Sequence, residues 1–175
     1  FSSERRLNLT WVAKVHIEPM GVYSHKVKDL KSLKNGAVIG IPNDPTNGGR
    51  ALLLIEKAGL ITLKPGVGLT ATIFDIADNP KKLRFQELEA AQLPRALPDL
   101  DAAVINTNFA LEAKLDPLKD AIFIEGSDSP YANVLAVRSA DKNNADIAKL
   151  AKALQSSAVR DFIRTRYQGA VVPAF

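Results

Sequence analysis

Two short apolar runs constrain this chain more than anything else in it: Ala37-Val-Ile-Gly-Ile41 and Ala102-Ala-Val-Ile105. Neither alternates apolar with polar residues, which is the pattern of a strand covered on both faces. Each also leads into a helical stretch. The first passes through the turn-rich Pro42-Asn-Asp-Pro-Thr-Asn-Gly-Gly49 into Arg50–Ala58, which ends at Gly59; the second runs directly into residues 107–114. Strands covered on both faces need helices to cover them, so these runs predict an α/β class with a largely parallel sheet.

The rest of the chain fits that frame. Leu7, Leu9, Trp11, Ala13, Val15 and Ile17 alternate as in a half-buried strand, broken by Pro19 and Gly21. A short helix is expected over 28–33, stopped by Asn35-Gly36. Short strands are expected over 60–64 and 83–89, a helical turn over 72–77 and a short helix over 92–97. Further strands are expected at 121–124 and 133–137, separated by the polar loop Glu125–Tyr131. Beyond Asp141 the pattern is helical. Ile147, Leu150, Ala151 and Leu154 form one stripe, and Val159, Phe162, Ile163 and Tyr167 another behind a Ser156 cap.

Composition narrows the function classes. The 175 residues contain no cysteine, which excludes disulfides, thiolate metal sites and a Cys nucleophile. A net charge of +4, with no block of like charges, is not a nucleic-acid footprint. The apolar run Ala51–Ile55 is far short of the roughly 20 residues that span a bilayer. The chain starts at Phe1 with no signal-like segment, so any targeting segment is expected to lie outside this sequence.

Three segments could hold a ligand. In parallel sheets, ligands settle beyond the carboxyl ends of strands, beside the N-termini of the following helices. Residues 42–50 occupy such a place. Arg50, read as lying in the first helical turn, would offer a planar fork for a carboxylate; the alternative is a surface Arg on a helix cap. No Gly-x-Gly-x-x-Gly or Gly-Lys-Ser/Thr spacing is present, which favours a small carboxylate over a nucleotide phosphate. Asn106, at the second strand end, carries donors and an acceptor suited to an amino acid; the alternative is that it, or Thr107, caps the next helix. Ser129-Pro-Tyr-Ala-Asn133 is either a third contact loop or a β-turn. Catalytic groupings are sparse. His16 and His25 lack ligand spacing, Ser127-Asp128-Ser129 lacks a nucleophile elbow, and Asp75, Glu87 and Glu89 could pair only if the fold joined them. No cofactor is implied.

In this order, these segments resemble the substrate-binding lipoproteins of the methionine ABC importer, within the periplasmic-binding-protein type II fold. The matching text includes His16-Ile-Glu-Pro-Met-Gly-Val-Tyr-Ser24, Ile41-Pro-Asn-Asp-Pro-Thr-Asn-Gly-Gly-Arg50, Gln92-Leu-Pro-Arg95, Ala103-Val-Ile-Asn-Thr107 and Ser129-Pro-Tyr-Ala-Asn133. The resemblance implies that Arg50 clamps the methionine carboxylate. It implies that Asn106 and Asn133 hydrogen-bond the α-amino and carboxylate groups, with Pro45, Thr46 and Asn47 as a supporting loop. It further implies two α/β lobes, with lobe II over 23–124. The other lobe is built from residues 1–22 and 125–175, and is expected to be incomplete.

The implied function is capture of methionine, or a related amino acid, in the cleft between the lobes, without catalysis, for delivery to a permease and its ATPase. The implied location is the periplasm or cell surface, held to the membrane by a lipid anchor upstream of this chain. Family members carry a further βα stretch before the position of Phe1 that lines the methionine side chain. This chain alone is therefore expected to bind methionine weakly unless a second chain completes the site. The alternatives on the same fold are a ligand-sensing effector domain of a transcription regulator and a small transferase.

Overall fold

The computed structural model describes residues 7–126 and 129–175. Residues 1–6, read as polar, and Ser127 and Asp128 lie outside the described residues. In chain order the strands and helices begin with β1 (Leu9–Ile17), β2 (Gly21–Tyr23), β3 (Val38–Pro42) and α1 (Pro45–Lys57). There follow β4 (Thr62–Leu63), β5 (Ile76–Asp78), β6 (Arg84–Leu88), α2 (Leu93–Ala96), β7 (Ala102–Ile105) and α3 (Thr107–Glu112). The chain ends with β8 (Ala121–Ile124), β9 (Ala132–Arg138), α4 (Ala145–Leu154), α5 (Ser157–Tyr167) and β10 (Val172–Pro173). It divides into two compact units, Met20–Glu125 and the pair of segments Phe1–Pro19 and Gly126–Phe175.

The 20–125 unit is built on a five-stranded sheet in the order β6-β3-β7-β2-β8. Its core gathers Val22, Ile39, Ile41, Leu52, Ile55 and Val104, all essentially unexposed, so the two apolar runs become the neighbouring central strands β3 and β7. The sheet is mixed, which corrects the expectation of a largely parallel one. β3 runs parallel to β6 and β7, while β2 pairs antiparallel with both β7 and β8. Periodicity reports how a strand is covered and not its direction, so the reversal was invisible in the apolar runs.

Asp101 fixes the start of the β3–β7 pair. Its backbone N–H donates to the Val38 carbonyl at 3.0 Å, and its Oδ2 accepts the Val38 N–H at 2.8 Å. That backbone hydrogen bond is the main reason the Asp101 carboxyl is held below its ordinary range, with Lys26 assisting. The helix expected over 28–33 is a single 3₁₀ turn, Leu30–Ser32, capped by Asp29. Gly36 ends the segment at φ +75, a conformation that side chains disfavour.

The other unit holds a three-stranded antiparallel sheet, β10-β1-β9, with α4 and α5. β1 follows the predicted alternation only in part: Ala13 and Ile17 are buried, but Trp11 is 57% exposed beside a break in register between Trp11 and Ala13. α5 carries the expected Ser156 cap, and α4 an Asn144 cap not read from the sequence; the two side chains accept the Val159 and Asp146 N–H groups respectively. The apolar stripes of both helices are only partly covered: Ile163 is buried, whereas Leu150 and Phe162 are exposed.

Candidate functional site

β3 and β7 lie side by side in parallel register, Ile39 against Ala102 and Gly40 against Ala103. Their carboxyl ends therefore meet one edge of the sheet, where α1 and α3 begin. α1 starts at Pro45, five residues before the start read from the sequence. Proline at the first helical position needs no N–H partner, and Asp44 caps the helix by accepting the Asn47 N–H at 3.0 Å. Pro45, Thr46 and Asn47 are thus the first helical turn and not a supporting loop. Arg50 lies in the second turn, so the conflict expected between its charge and the helix N-terminus is smaller.

The glycines that suggested a turn serve a different purpose. A Cβ on Gly49 would lie 2.5 Å from the Leu69 carbonyl oxygen and 3.2 Å from that of Ala71. Residues 68–71 therefore rest directly on the helix backbone, in contact that only a hydrogen allows.

A polar relay crosses from α1 to the end of β7. Asp44 is acceptor-only when ionised, so the Asn47 amide turns its Nδ2 toward it, at 3.1 and 2.9 Å from the two carboxylate oxygens. Asn47 Oδ1 then faces Asn106 and accepts its Nδ2–H at 2.9 Å. This fixes the Asn106 amide in turn, since amide orientation follows from the bonding network. Its Oδ1 is left buried and without a hydrogen-bond partner among the described residues. Asn106 occupies the N-cap position of α3, but its side chain makes no capping bond. The capping alternative for this residue is thereby set aside.

Arg50 is buried, with its residue only 8% exposed. Its Nε donates to Glu125 Oε1 at 2.9 Å and its Nη2 to Glu125 Oε2, a two-point fork of the kind guanidinium and carboxylate form best. The surface-Arg alternative does not hold. Glu125 was not singled out in the sequence, where it opens a polar loop. Its place directly after the apolar strand Ala121–Ile124 puts it at a strand end, but nothing local marks it as the partner a buried Arg needs.

Asn133 is the second residue of β9, exposed and opposite His16 of β1. In the segment before it, Ser129 Oγ accepts the Tyr131 N–H at 3.3 Å. His16 Nε2 lies 2.9 Å from Glu18 Oε1. Asp75 is occupied in a capping box with Thr72 and does not form an acid–base pair with Glu87 or Glu89. No cluster of three potential metal ligands occurs among the described residues.

The sequence matches the family described as NlpA lipoprotein over residues 1–175. This chain belongs to that family. It is 46% identical over 171 residues to the D-methionine-binding lipoprotein MetQ of Salmonella typhimurium, covering 97% of this chain and 63% of that relative. It is 44% identical over 169 residues to Lipoprotein 28 of Escherichia coli K12, covering 95% of this chain and 62% of that protein. The chain thus spans a little under two thirds of the length of these curated relatives.

Among solved structures, this chain resembles a nutrient-binding protein from Burkholderia cenocepacia bound to methionine, with a TM-score of 0.94 and 51% identity. The match covers 99% of this chain and 73% of the other. A periplasmic substrate-binding protein of an ABC transporter from Coxiella burnetii follows at 0.92 and 48%, with the same coverages. The mixed α/β architecture is that of the periplasmic-binding-protein fold. Among the described residues, no helix is long and apolar enough to cross a membrane.

Proposed function

We propose that this protein is the substrate-binding component of an ABC importer and that it captures methionine or a closely related amino acid. The observation that carries this reading is that the Arg50–Glu125 ion pair and the lone Asn106 acceptor lie at one end of the 20–125 sheet, since Gly21 of β2 is in register with Ile105, just before Asn106, and with Ile124, just before Glu125. A free amino acid presents one carboxylate and one ammonium. Arg50 is suited to the first, and Asn106 Oδ1 to an N–H of the second. A buried oxygen left without a donor costs about 1–3 kcal/mol, which an ammonium in that place would relieve.

Methionine, rather than another amino acid, is inferred from what the relatives' names and the Burkholderia structure state of those proteins. The two compact units are proposed to be the two lobes of the binding-protein fold. Asn133 is proposed as a further ligand contact on the sequence resemblance alone. Delivery to a membrane permease and its ATPase, a periplasmic or cell-surface location and a lipid anchor are part of the same proposal, supported by the lipoprotein family match. A second chain completing the side-chain pocket belongs to it as well. The ligand is carried without covalent change.

Calorimetry on the protein as its gene encodes it tests the reading with three ligands: methionine, methioninamide and N-acetylmethionine. Removing the carboxylate or blocking the ammonium is expected to weaken binding by about tenfold or more, the scale of one hydrogen bond to a charged group. Equal affinity for all three would overturn the assignment of both groups.

A further inference from the structure

Glu125 is the feature of this site that neither the sequence resemblance nor the relatives' names assign. Its carboxylate is held at both oxygens. Oε1 accepts from Arg50 Nε at 2.9 Å; Oε2 accepts from Arg50 Nη2 and from the Met20 backbone N–H at 3.1 Å. Its own backbone N–H donates to the Met20 carbonyl at 2.9 Å, continuing the β2–β8 pairing of Gly21 with Ile124. The carboxylate is therefore tied to the ends of two strands independently of the guanidinium.

A buried ion pair is seldom the most stable way to fill such a position, because an apolar pair of similar volume escapes the desolvation cost. Arg50 is surrounded along its helix by Gly49, Ala51, Leu52, Leu54 and Ile55, all buried, so an apolar side chain would suit packing alone. A guanidinium kept there at that cost has a use. A long side chain that serves as a ligand clamp also binds best when its orientation is settled before the ligand arrives.

We infer that Glu125 is a positioning residue for the proposed carboxylate site: it sets the plane of the Arg50 fork by anchoring it to the Met20–Glu125 strand ends, without itself touching ligand. The inference rests on the reading of Arg50 as the carboxylate clamp. It also places that clamp on the residues where the chain enters and leaves the 20–125 unit.

The test is a set of calorimetric titrations with methionine and methioninamide on the protein as its gene encodes it. The variants are Glu125→Gln, Arg50→Lys and the double variant, each checked for folding by circular dichroism. Glu125→Gln preserves shape but presents an N–H₂ group toward the guanidinium. Methionine affinity is expected to fall by about tenfold or more, the scale of one charged hydrogen bond, while methioninamide affinity stays within about twofold. In the Arg50→Lys background the same substitution is expected to change methionine affinity by less than about threefold, since its effect passes through Arg50. Should Glu125→Gln not fold, Glu125→Asp keeps the charge, withdraws it by one methylene and is expected to weaken methionine in the same selective way. Wild-type methionine affinity in a folded Glu125 variant overturns the inference, as does equal weakening of both ligands or an undiminished effect in the Arg50→Lys background. If Arg50→Lys alone leaves methionine binding intact, the carboxylate reading fails and the inference with it. If Arg50→Lys weakens methionine but the Glu125 variants do not, the inference alone fails.

Discussion

The relay from Asp44 through Asn47 to Asn106 makes a prediction in which stability and affinity separate. Asp44→Ala removes the cap of α1 and the carboxylate that holds the Asn47 amide. Loss of an N-cap costs about 1 kcal/mol, and the half-buried bonds from Asn47 Nδ2 add up to about another. At about 2–4 °C per kcal/mol for a chain of this size, melting is expected to fall by about 2–8 °C. Asp44→Ser keeps an oxygen on the cap, so its melting temperature should stay close to wild type. Serine nevertheless cannot impose the relay, because one hydroxyl both donates and accepts. Asn47 is then able to turn, and Asn106 with it, which would present N–H₂ where the carbonyl oxygen now stands. Methionine affinity is expected to drop about tenfold in Asp44→Ser, with little change in melting. Thermal denaturation by circular dichroism and calorimetry together read both quantities. Wild-type affinity in Asp44→Ser refutes the relay, and unchanged melting in Asp44→Ala refutes the cap.

Gly49→Ala reverses a familiar rule. Alanine usually stabilises a helix by about 1 kcal/mol over glycine, but here the new Cβ meets backbone oxygen at 2.5 Å and overpacking costs about 1–3 kcal/mol. Urea unfolding should show a net loss, and a gain in stability would contradict the described contact with residues 68–71. Tyr23 has a buried hydroxyl without a hydrogen-bond partner among the described residues, and burial pushes its pKa well above the ordinary 10.0, with Asp120 and Asp116 adding to the shift. The unfolded chain therefore loses this proton first, so stability is complete below about pH 10 and declines as pH rises beyond it. Tyr23→Phe should remove that decline and leave stability at neutral pH unchanged or slightly higher; identical alkaline profiles for the two proteins would refute the assignment.

What the sequence revealed followed from periodicity and local chemistry. The continuous apolar runs marked β3 and β7, and the alternation past Leu7 marked β1, because burial pattern is written into residue type. The start of α1 was misplaced because Asn47, Gly48 and Gly49 have the composition of a turn; their reasons for lying in a helix are the Asp44 carboxylate and the backbone of residues 68–71, both tertiary partners. The direction of β2 relative to β7 was hidden for the same reason, since three residues carry no record of polarity. At the site, Arg50 and Asn106 stood out by their position at strand ends. Glu125 did not, because its partner is 75 residues away and nothing local distinguishes a buried acid from a loop acid.

The central claim is that Arg50 binds the carboxylate of a free amino acid. Titration of methionine into the wild-type protein and into Arg50→Ala tests it most directly, each recorded below its own melting temperature. That condition matters because Glu125 loses its buried partner in the variant, at a cost of about 3–5 kcal/mol. Wild type is expected to give measurable heat and the folded variant to bind about a hundredfold more weakly, the upper range for a hydrogen bond to a charged group. An unchanged dissociation constant in folded Arg50→Ala would contradict it.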